Sequence, residues 1–532
     1  MSDFFYRTES INKNELQELF VESNLERDII DQFKSNTHVV LEGSRGTGKS
    51  FLMKIAQKEL NDSFNVDKII PIYITFMESA LLHTDNSNQF YYWMLAKIIR
   101  EMRKVLIKKG MSLTPYSNTL LGNVDKDKLS KIIKLFESTY RTVNTHIDIT
   151  SLPELSDVID AIEDICDENG ITRFVFFFDE AAHVFRPEQQ RQFFSLFRDF
   201  KSPFITCNAA VYPGVTHYGN SFEMTHDAVS LKVERDMLST TYLTDMKSMV
   251  LKQAADKWEK QIDNNAELFN TLAICASGNP RILLRTLDKC ESLKLGKVND
   301  VIRNFYRADI WKEHTNLGDK YKGHKKIIDW GRTFIEDIVI PTTMKKNDDR
   351  LGREKKESTI YFWVNKDAPE QIKEGLRLLS YTGIIRKYDS GVKASKSAIG
   401  DRYELQFGCL LAGNSTPTKL SYEIIKNIKL DFFTEYGSNN SAFSSLELKD
   451  IEDFSDVEFL SSLKIQLTKS INTLSLTAWQ KYKLESIQVS TVKELLEISE
   501  ISLIDKLYGI GPVKARTMKN SATAELLETI SG

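Results

Sequence analysis

The sequence predicts an α/β protein in which helices cover a parallel sheet. Short β-branched or aromatic runs alternate with helical patterns along the first half of the chain, which is typical of strand–helix–strand units. A glycine-rich turn separates the first of these runs from a helical pattern. A later apolar run is unbroken and ends in two acidic residues, which indicates a central strand that is buried on both faces.

The predicted elements divide the chain into a core and several smaller regions. The core spans residues 1–240 and contains the candidate strands 38–42, 68–76, 173–179, 203–210 and 228–233. A helical insert at about 80–168 follows the second strand, with helical patterns at 89–109, 127–143 and 155–168. The later regions are a helical subdomain at 241–312, a winged-helix-like domain at 313–418, a serine- and asparagine-rich linker at 436–450 and an all-α tail at 451–532.

Composition indicates an ordinary globular protein. Its 532 residues correspond to three or four domains of ~150 residues each, and 41% are hydrophobic and 27% charged, as in folded chains. The net charge of −3 excludes a uniformly basic nucleic-acid-binding protein.

Five dispersed cysteines argue against a zinc site or a disulfide framework. The chain shows neither a signal peptide nor an apolar run of ~20 residues, so we expect a cytoplasmic protein without membrane segments.

The glycine-rich segment after the first strand fits the P-loop pattern G-x-x-x-x-G-K-[ST]. Glycines let the backbone turn so that its N–H groups converge on phosphate oxygens, and the following helix adds its positive end. Lys49 is expected to reach the β- and γ-phosphates and Ser50 to hold Mg²⁺. The alternative is a glycine-rich turn that happens to precede a helix. The predicted ATP-binding residues are Gly43, Ser44, Arg45, Gly46, Thr47, Gly48, Lys49 and Ser50.

The unbroken apolar run reads Phe-Val-Phe-Phe-Phe-Asp-Glu and covers residues 174–180. A buried central strand that delivers carboxylates to its carboxyl end fits the Walker B role. Asp179 would orient Mg²⁺, and Glu180 would polarise the attacking water. The alternative is a core strand that ends by chance at a solvated pair of acids.

With these motifs, residues 19–295 resemble the AAA+ ATPases, and among them the origin-recognition (Orc/Cdc-type) group. The resemblance implies a sheet with a helical lid and two further site residues. Asn208, in the segment ITCNAAVYPGVTHYG, matches the sensor 1 position near the γ-phosphate. Arg281, in SGNPRILL, matches the sensor 2 arginine that reaches back to the nucleotide. Asn208 could instead cap a turn, and Arg281 could be a solvated arginine at a helix start.

The chain departs from this family in two places. Lys49 and Asp179 lie 130 residues apart, so the helical insert is a specialised feature that could form a partner or substrate surface. Residues 213–225 contain no arginine where the family usually supplies a finger to a neighbouring subunit. Arg235 and Arg198 are the substitutes to test, and each is expected to be an ordinary surface arginine.

The tail carries a second glycine turn, in the segment LYGIGPVKAR at 507–516. This segment resembles a helix-hairpin-helix motif, and residues 474–527 resemble the C-terminal domain of the RNA polymerase α-subunit. Backbone N–H groups at such a turn can hold a DNA phosphate, which predicts sequence-tolerant and salt-sensitive binding. The alternative is a helical module that docks protein and uses the turn only for packing. The predicted DNA contacts are Gly509, Gly511, Lys514, Arg516 and Lys519.

The winged-helix-like domain adds a weaker signal for DNA. Residues 312–404 contain 20 basic and 15 acidic side chains, although a charge run is usually only a solvated face. The leading hypothesis is therefore a DNA-associated AAA+ ATPase that binds and hydrolyses Mg-ATP, with a homo-oligomer or a partner effector protein. The alternative is a STAND-like nucleotide switch, or a regulatory ATPase of a defence or mobile-element system, whose tail docks protein.

Overall fold

The computed structural model describes residues 4–12, 14–77, 89–121, 126–138, 152–180, 187–214, 216–219, 221–352, 356–446, 464 and 466–530. The chain divides into two compact units. The first comprises Met1–Lys260 and Gly278–Asp288, and the second comprises Gln261–Ser277 and Lys289–Gly532. The predicted helical subdomain at 241–312 is thus shared between the units, and the other predicted boundaries stay predictions.

The first unit contains a five-stranded sheet. Every paired strand in it runs parallel to its neighbours, in the order β2-β3-β4-β1-β5. The α/β fold class and all five predicted strands are therefore confirmed. Because the strands are parallel, their carboxyl ends share one edge of the sheet: Glu42 pairs with Val211, and Thr75 pairs with Asp179. The strands are β1 (Val39–Glu42), β2 (Ile69–Thr75), β3 (Arg173–Asp179), β4 (Ile205–Val211) and β5 (Val229–Lys232).

Helices pack on both faces of this sheet, which explains the unbroken apolar run of β3. Phe174, Phe176 and Phe178 belong to one buried cluster, and Val175 and Phe177 belong to another on the opposite face. Successive side chains of a strand point to opposite faces, so a strand covered on both sides is apolar along most of its length. The helices up to residue 290 are α1 (Asn24–Lys34), α2 (Lys49–Asp62), α3 (Phe64–Asp67), α4 (Gln89–Lys109), α5 (Pro115–Leu121), α6 (Lys126–Ser138), α7 (Leu155–Asn169), α8 (Pro187–Asp199), α9 (Met224–Asp227), α10 (Tyr242–Asn264), α11 (Ala266–Cys275) and α12 (Pro280–Cys290).

The predicted insert is helical and forms part of the core. Its first helix, α4, has the predicted bounds, and α7 differs from its prediction by one residue. The second predicted pattern corresponds to α6, and residues 139–143 of that prediction lie outside the described residues. Trp93 of α4 is fully buried, with its ring 5.5 Å from that of Phe76 beside β2. This face of the insert therefore packs on the sheet.

The second unit combines helices with a four-stranded sheet in the order β7-β8-β6-β9. The strand that contains Asp401 ends at Leu405, and the chain continues as a helix from Phe407. The basic segment at 344–356 is helical through Leu351. The strands are β6 (Tyr361–Asn365), β7 (Ile385–Lys393), β8 (Ile399–Leu405) and β9 (Phe433–Tyr436). The helices up to residue 425 are α13 (Leu295–Asn304), α14 (Ile310–Lys320), α15 (Lys325–Thr333), α16 (Ile340–Leu351), α17 (Glu370–Thr382), α18 (Phe407–Leu411) and α19 (Pro417–Ile425).

The described part of the predicted linker, residues 436–446, is packed instead of free. It begins at the last residue of β9, and Ser441–Phe443 form a 3₁₀ turn. Trp330 donates its indole N–H to the carbonyl of Ala442 at 3.1 Å, and the Phe443 ring is buried. A serine- and asparagine-rich composition therefore marks turns here without implying that the segment is solvated.

The tail is a small helical bundle with its own apolar cluster. Ile510, from the glycine turn, is buried among Leu503, Leu507 and Met518. Pro512 begins the last helix, where its missing N–H costs nothing. Within the described ranges, no helix is long and apolar enough to span a bilayer. The tail helices are α20 (Ala478–Glu485), α21 (Val492–Glu497), α22 (Glu500–Lys506) and α23 (Pro512–Ile530).

Candidate functional site

The predicted P-loop connects β1 to α2 at the carboxyl edge of the first sheet. Gly46 and Gly48 have φ angles of 91° and 101°, a region that L side chains rarely adopt. A Cβ atom at Gly43 would lie 2.7 Å from Thr47 Oγ1, and one at Gly46 would lie 2.9 Å from Asn279 Oδ1. Gly46 is therefore required by both conformation and space, Gly43 by space and Gly48 by conformation.

Lys49, at the start of α2, is buried beneath this loop with 7% of its surface exposed. Its Nζ donates to the carbonyls of Gly43 and, at 3.2 Å, Ser44, and lies 4.1 Å from the ring centroid of Tyr212. Burial lowers the pKa of Lys49 to about 7, and the negative charge of Asp179 opposes that shift. An anion bound at the loop would favour the protonated form of this lysine.

Asp179 is the last residue of β3, and its carboxylate is held by two hydrogen bonds. Tyr73 of β2 donates its hydroxyl to Oδ2, and the backbone N–H of Glu180 donates to Oδ1 at 3.0 Å. Asp179 is 4% exposed, and its charge acts on Lys49. The two predicted Walker residues are therefore brought together, although 130 residues separate them in the sequence.

Glu180 leaves the strand with a φ of 57°, which is uncommon for a residue other than glycine. Burial, reinforced by the neighbouring charge of Asp179, raises the pKa of Glu180 to about 7, whereas Arg45 opposes the shift. A carboxylate with a pKa near neutrality is suited to general-base chemistry.

Arg281 lies beside the P-loop, on the first turn of α12. A Cβ atom at Gly46 would be 3.0 Å from its own Cβ, and its charge contributes to the lowered pKa of Lys49. Its Nε donates to the carbonyl of Tyr6 at 2.9 Å, so the N-terminal segment orients the guanidinium. Arg281 is therefore half-buried beside the P-loop, and its sensor 2 role stays a prediction.

Asn208 does not join this group. It lies in the middle of β4, paired with Val39 and Phe177, three residues before the strand ends at Val211. At ~3.3 Å per residue it is ~10 Å from the carboxyl edge. Its Nδ2 donates to the carbonyl of Phe33 at 3.0 Å, which lies in the last turn of α1, where helix carbonyls lack intrahelical partners. The structure corrects the sensor 1 prediction: this amide caps a helix end.

Sequence reasoning missed the contacts that brace the P-loop from outside. Arg235 follows β5, and its side chain is 9% exposed. Its Nε donates to Glu26 Oε1 at 2.8 Å, and its Nη1 donates to the Thr47 carbonyl at 2.9 Å. Asn279 donates its side-chain amide to the Arg45 carbonyl at 2.9 Å. Arg235 is therefore a buried brace, and the expectation of a surface arginine is wrong. Glu26 and Arg235 are 209 residues apart, and no local pattern in the sequence links them.

Arg198 matches its expectation as a surface arginine. Its guanidinium pairs with the adjacent Asp199 and donates to the carbonyl of Ser221 at 2.9 Å. Tyr73 and Tyr212, which contact Asp179 and Lys49, were not predicted as site residues. The signal that could have found them is their place on, or directly after, strands that end at the same edge as the P-loop.

In the tail, the three basic residues that were predicted to contact DNA have different surroundings. Arg516 pairs with Glu500 through Nη2 at 2.9 Å and donates Nη1 to the carbonyls of Ser438 at 3.1 Å and Asp367 at 3.2 Å. The guanidinium therefore joins parts of the second unit to each other. Its side chain is 13% exposed, so little of its charge is available to a ligand.

Lys519 has a comparable internal role. Its Nζ donates to the carbonyls of Leu495 at 3.0 Å and Ile498 at 2.8 Å, and also to that of Leu496. These carbonyls lie at the C-terminal end of α21, where a cation is favoured by the helix dipole and by the unpaired acceptors. Lys519 is therefore a helix cap.

Lys514 remains exposed at the glycine turn. Its Nζ donates to the carbonyl of Gly509 at 3.2 Å and lies 4.6 Å from the ring centroid of Trp479. Gly509 has a φ of 85°, as the predicted tight turn requires. A Cβ atom at Gly511 would have no neighbour within 4 Å among the described atoms, so the backbone there is open.

No protein-family model matches this chain, and no curated protein sequence matches it. Among solved structures it is similar to a Walker-type ATPase of Pyrococcus abyssi, with a TM-score of 0.37 and 14% identity over 79% of this chain and 97% of that one. It is also similar to the Aeropyrum pernix Orc1 protein in complex with DNA, with a TM-score of 0.29 and 12% identity over 77% of this chain and 100% of that one. A third similar structure is Thermotoga maritima RuvB, with a TM-score of 0.28 and 14% identity over 72% of this chain and 93% of that one. TM-scores this low carry no functional assignment, which must rest on the residues of the chain itself.

Proposed function

We propose that this chain is an ATPase of the AAA+ type that binds Mg-ATP at the Gly43–Ser50 loop and hydrolyses it. One observation carries the proposal: Lys49, Asp179 and Glu180 converge at one edge of a parallel sheet, and each charge shifts the pKa of a neighbour. A buried lysine and two acids beside a glycine cradle form a site that fits a triphosphate and its metal.

The residues present fit these ligands. A side chain at Gly43 or Gly46 would crowd Thr47 or Asn279, and glycine at these positions allows the loop backbone to approach a phosphate closely. Mg²⁺ is usually held by one or two protein oxygens together with substrate phosphates. Ser50 and Asp179 can supply those oxygens, and the described residues contain no cluster of three or more potential metal-binding side chains.

Each residue then has a defined task. Lys49 would offset the charge of the phosphate oxygens, and Arg281, which lies beside Gly46, would add a second positive charge. Glu180, in its ionised form, would accept a proton from the attacking water. Tyr73 would fix the orientation of the Asp179 carboxylate. When bound, Mg²⁺ would neutralise charge that develops on the phosphates.

Titration calorimetry with ATP tests this proposal. Lys49→Ala removes a charged donor, which typically contributes ~1.5–3 kcal/mol, so affinity should fall about 10- to 150-fold. The matched control is Lys58→Ala, on the same helix, where the lysine forms only a surface pair with Asp62. Equal ATP affinity in the Lys49→Ala variant and the wild type would refute the site.

We further propose that the ATPase associates with DNA in an origin-recognition-like role. In this role the bound nucleotide controls DNA binding, assembly into a homo-oligomer or contact with a partner protein. Support comes from the exposed Lys514 at the glycine turn and from the excess of basic residues at 312–404. Mobility shifts with and without ATP test it. The absence of any nucleic-acid binding at low salt, where phosphate contacts are strongest, would leave the nucleotide switch with a protein-docking tail.

A further inference from the structure

The tail exposes aromatic side chains around its glycine turn. Trp479 is 42% exposed, Tyr482 67% and Tyr508 93%. A Cβ atom at Gly509 would lie 3.6 Å from the Trp479 ring, and Tyr508 precedes that glycine. Tyr482 lies three residues after Trp479 on α20, so the two rings are on the same side of that helix and form one surface with the turn. We call this surface the aromatic patch; its members are Trp479, Tyr482, Lys483, Tyr508 and Lys514.

The exposure of Trp479 is unusual within this chain. All six tryptophans lie in the described ranges, and five of them are 6% exposed or less. Large exposed aromatic surfaces are unfavourable in water and often mark binding sites. The buried tryptophans are Trp93, Trp258, Trp311, Trp330 and Trp363.

Two lysines place their ammonium groups over the ring of Trp479. The Nζ of Lys514 lies 4.6 Å from its ring centroid, and that of Lys483 lies 5.6 Å away. Cations at such distances are attracted to the ring face, so they orient the indole while keeping their own charge at the surface. The patch therefore presents flat apolar faces next to positive charge.

We propose that the aromatic patch binds single-stranded nucleic acid: a base takes the place of a lysine ammonium group on the Trp479 ring, and Lys483 and Lys514 turn to the adjacent phosphates. Base faces are accessible to aromatic rings only in unpaired strands. Arg516 and Lys519, which could have reached phosphates of a duplex, are engaged in internal contacts. The open backbone at Gly511 leaves room for a sugar-phosphate chain. This inference deepens the proposed DNA association and does not depend on the ATP site.

Fluorescence of the full-length protein tests it directly. Since Trp479 is the one exposed tryptophan of the six, quenching of the solvent-exposed emission reports on this residue. A twelve-nucleotide oligothymidylate should quench that emission in the wild type. Binding measured by anisotropy of a labelled oligonucleotide should weaken about 5- to 150-fold in Trp479→Ala. It should weaken much less in Trp479→Phe, which keeps a stacking face and controls for misfolding of the alanine variant. The matched control is Tyr116→Ala, which removes another exposed ring and should leave affinity unchanged.

Salt provides a second readout. Two lysine–phosphate contacts on a single strand predict a slope of log K against log salt of about −1.4, and Lys514→Ala should reduce its magnitude by about 0.7. If a duplex of equal length binds as tightly and Trp479→Ala has no effect, the chain associates with DNA through another surface and the stacking proposal is wrong. If a polyglutamate peptide quenches the emission and oligothymidylate does not, the patch docks acidic protein. If neither nucleic acid binds, both the stacking proposal and the DNA association fail.

Discussion

The two glycine turns of the molecule, the P-loop at Gly43–Ser50 and the tail turn at 507–512, were both expected to hold phosphates. At the P-loop, the predicted lysine, acids and sensor arginine lie together. At the tail turn, two of the three predicted cations are engaged in internal contacts. A sequence motif predicts which residues lie together when the fold fixes the position of each motif residue. A count of basic residues along the sequence does not predict which of them are exposed on one surface.

The difference has a geometric cause. In a parallel sheet the strand ends share an edge, so the P-loop after β1 and the acidic end of β3 lie on the same edge, with only β4 between the two strands. In the tail, α23 buries Ala515, Met518 and Ala522, a helical spacing that sets the side facing the core. Arg516 and Lys519 each follow a member of this stripe and border the core, whereas Lys514 precedes it and remains exposed.

The largest expected effect concerns the nucleotide region. Glu180→Gln removes the proton acceptor but keeps the shape, so kcat for ATP hydrolysis should fall about 10²- to 10⁴-fold while ATP affinity changes little. Steady-state phosphate release and calorimetry measure the two quantities. A variant that hydrolyses ATP at the wild-type rate would show that another group accepts the proton.

The pH profile is the control for this variant. Burial raises the pKa of Glu180 to about 7, so the carboxyl is mostly protonated below pH 7 and cannot accept a proton. In the wild type kcat/KM should therefore rise about tenfold per pH unit below pH 7. The Glu180→Gln variant should lack this acidic limb, and an identical limb in both proteins would assign it to another group.

The next largest effect concerns the brace of the P-loop. Arg235→Ala would leave Glu26 buried without its guanidinium partner, a change that costs ~3–5 kcal/mol in comparable buried pairs. Thermal denaturation with and without ATP should show a large loss of stability. Arg198→Ala removes an exposed arginine of the same unit and should cost ~1 kcal/mol or less. Similar melting of the two variants would mean that Arg235 does not brace the loop.

In the tail, the loss of stability caused by each substitution should depend on the contacts of the side chain and not on its distance from the glycine turn. Arg516→Ala loses the pair with Glu500 and two carbonyl contacts, so the tail should lose ~1.5–3 kcal/mol of local stability. Lys514→Ala should change it by ~0.5 kcal/mol or less, as is usual for surface positions. Hydrogen exchange of the α23 amides measures both. Faster exchange in Lys514→Ala than in Arg516→Ala would mean that Lys514, and not Arg516, stabilises the tail.

The sequence predicted the strands of the first sheet, the P-loop and the acidic pair because each depends on local patterns or on one rule of parallel sheets. It did not predict the partners that hold them. Tyr73 reaches Asp179 across 106 residues, and Arg235 reaches Glu26 across 209. Such contacts depend on how helices and strands pack, and residue type does not reveal them. The packing of residues 436–446 was missed for the same reason, since composition cannot show that the Phe443 ring packs beside Trp330.

The smallest expected effect on catalysis concerns Asn208, where prediction and structure disagree most. If its amide only satisfies the Phe33 carbonyl, Asn208→Ala should leave that buried acceptor unpaired and lower stability by ~1–3 kcal/mol, while kcat stays within about twofold. A residue that stabilises charge at the reacting phosphate would instead cost about 10²-fold or more in kcat on removal. Parallel melting and turnover measurements separate the roles, with Glu180→Gln as the reference for a lost catalytic group. A large fall in kcat in a stable Asn208→Ala variant would restore the sensor interpretation, and it would require β4 to present this side chain to the P-loop edge instead of to the end of α1.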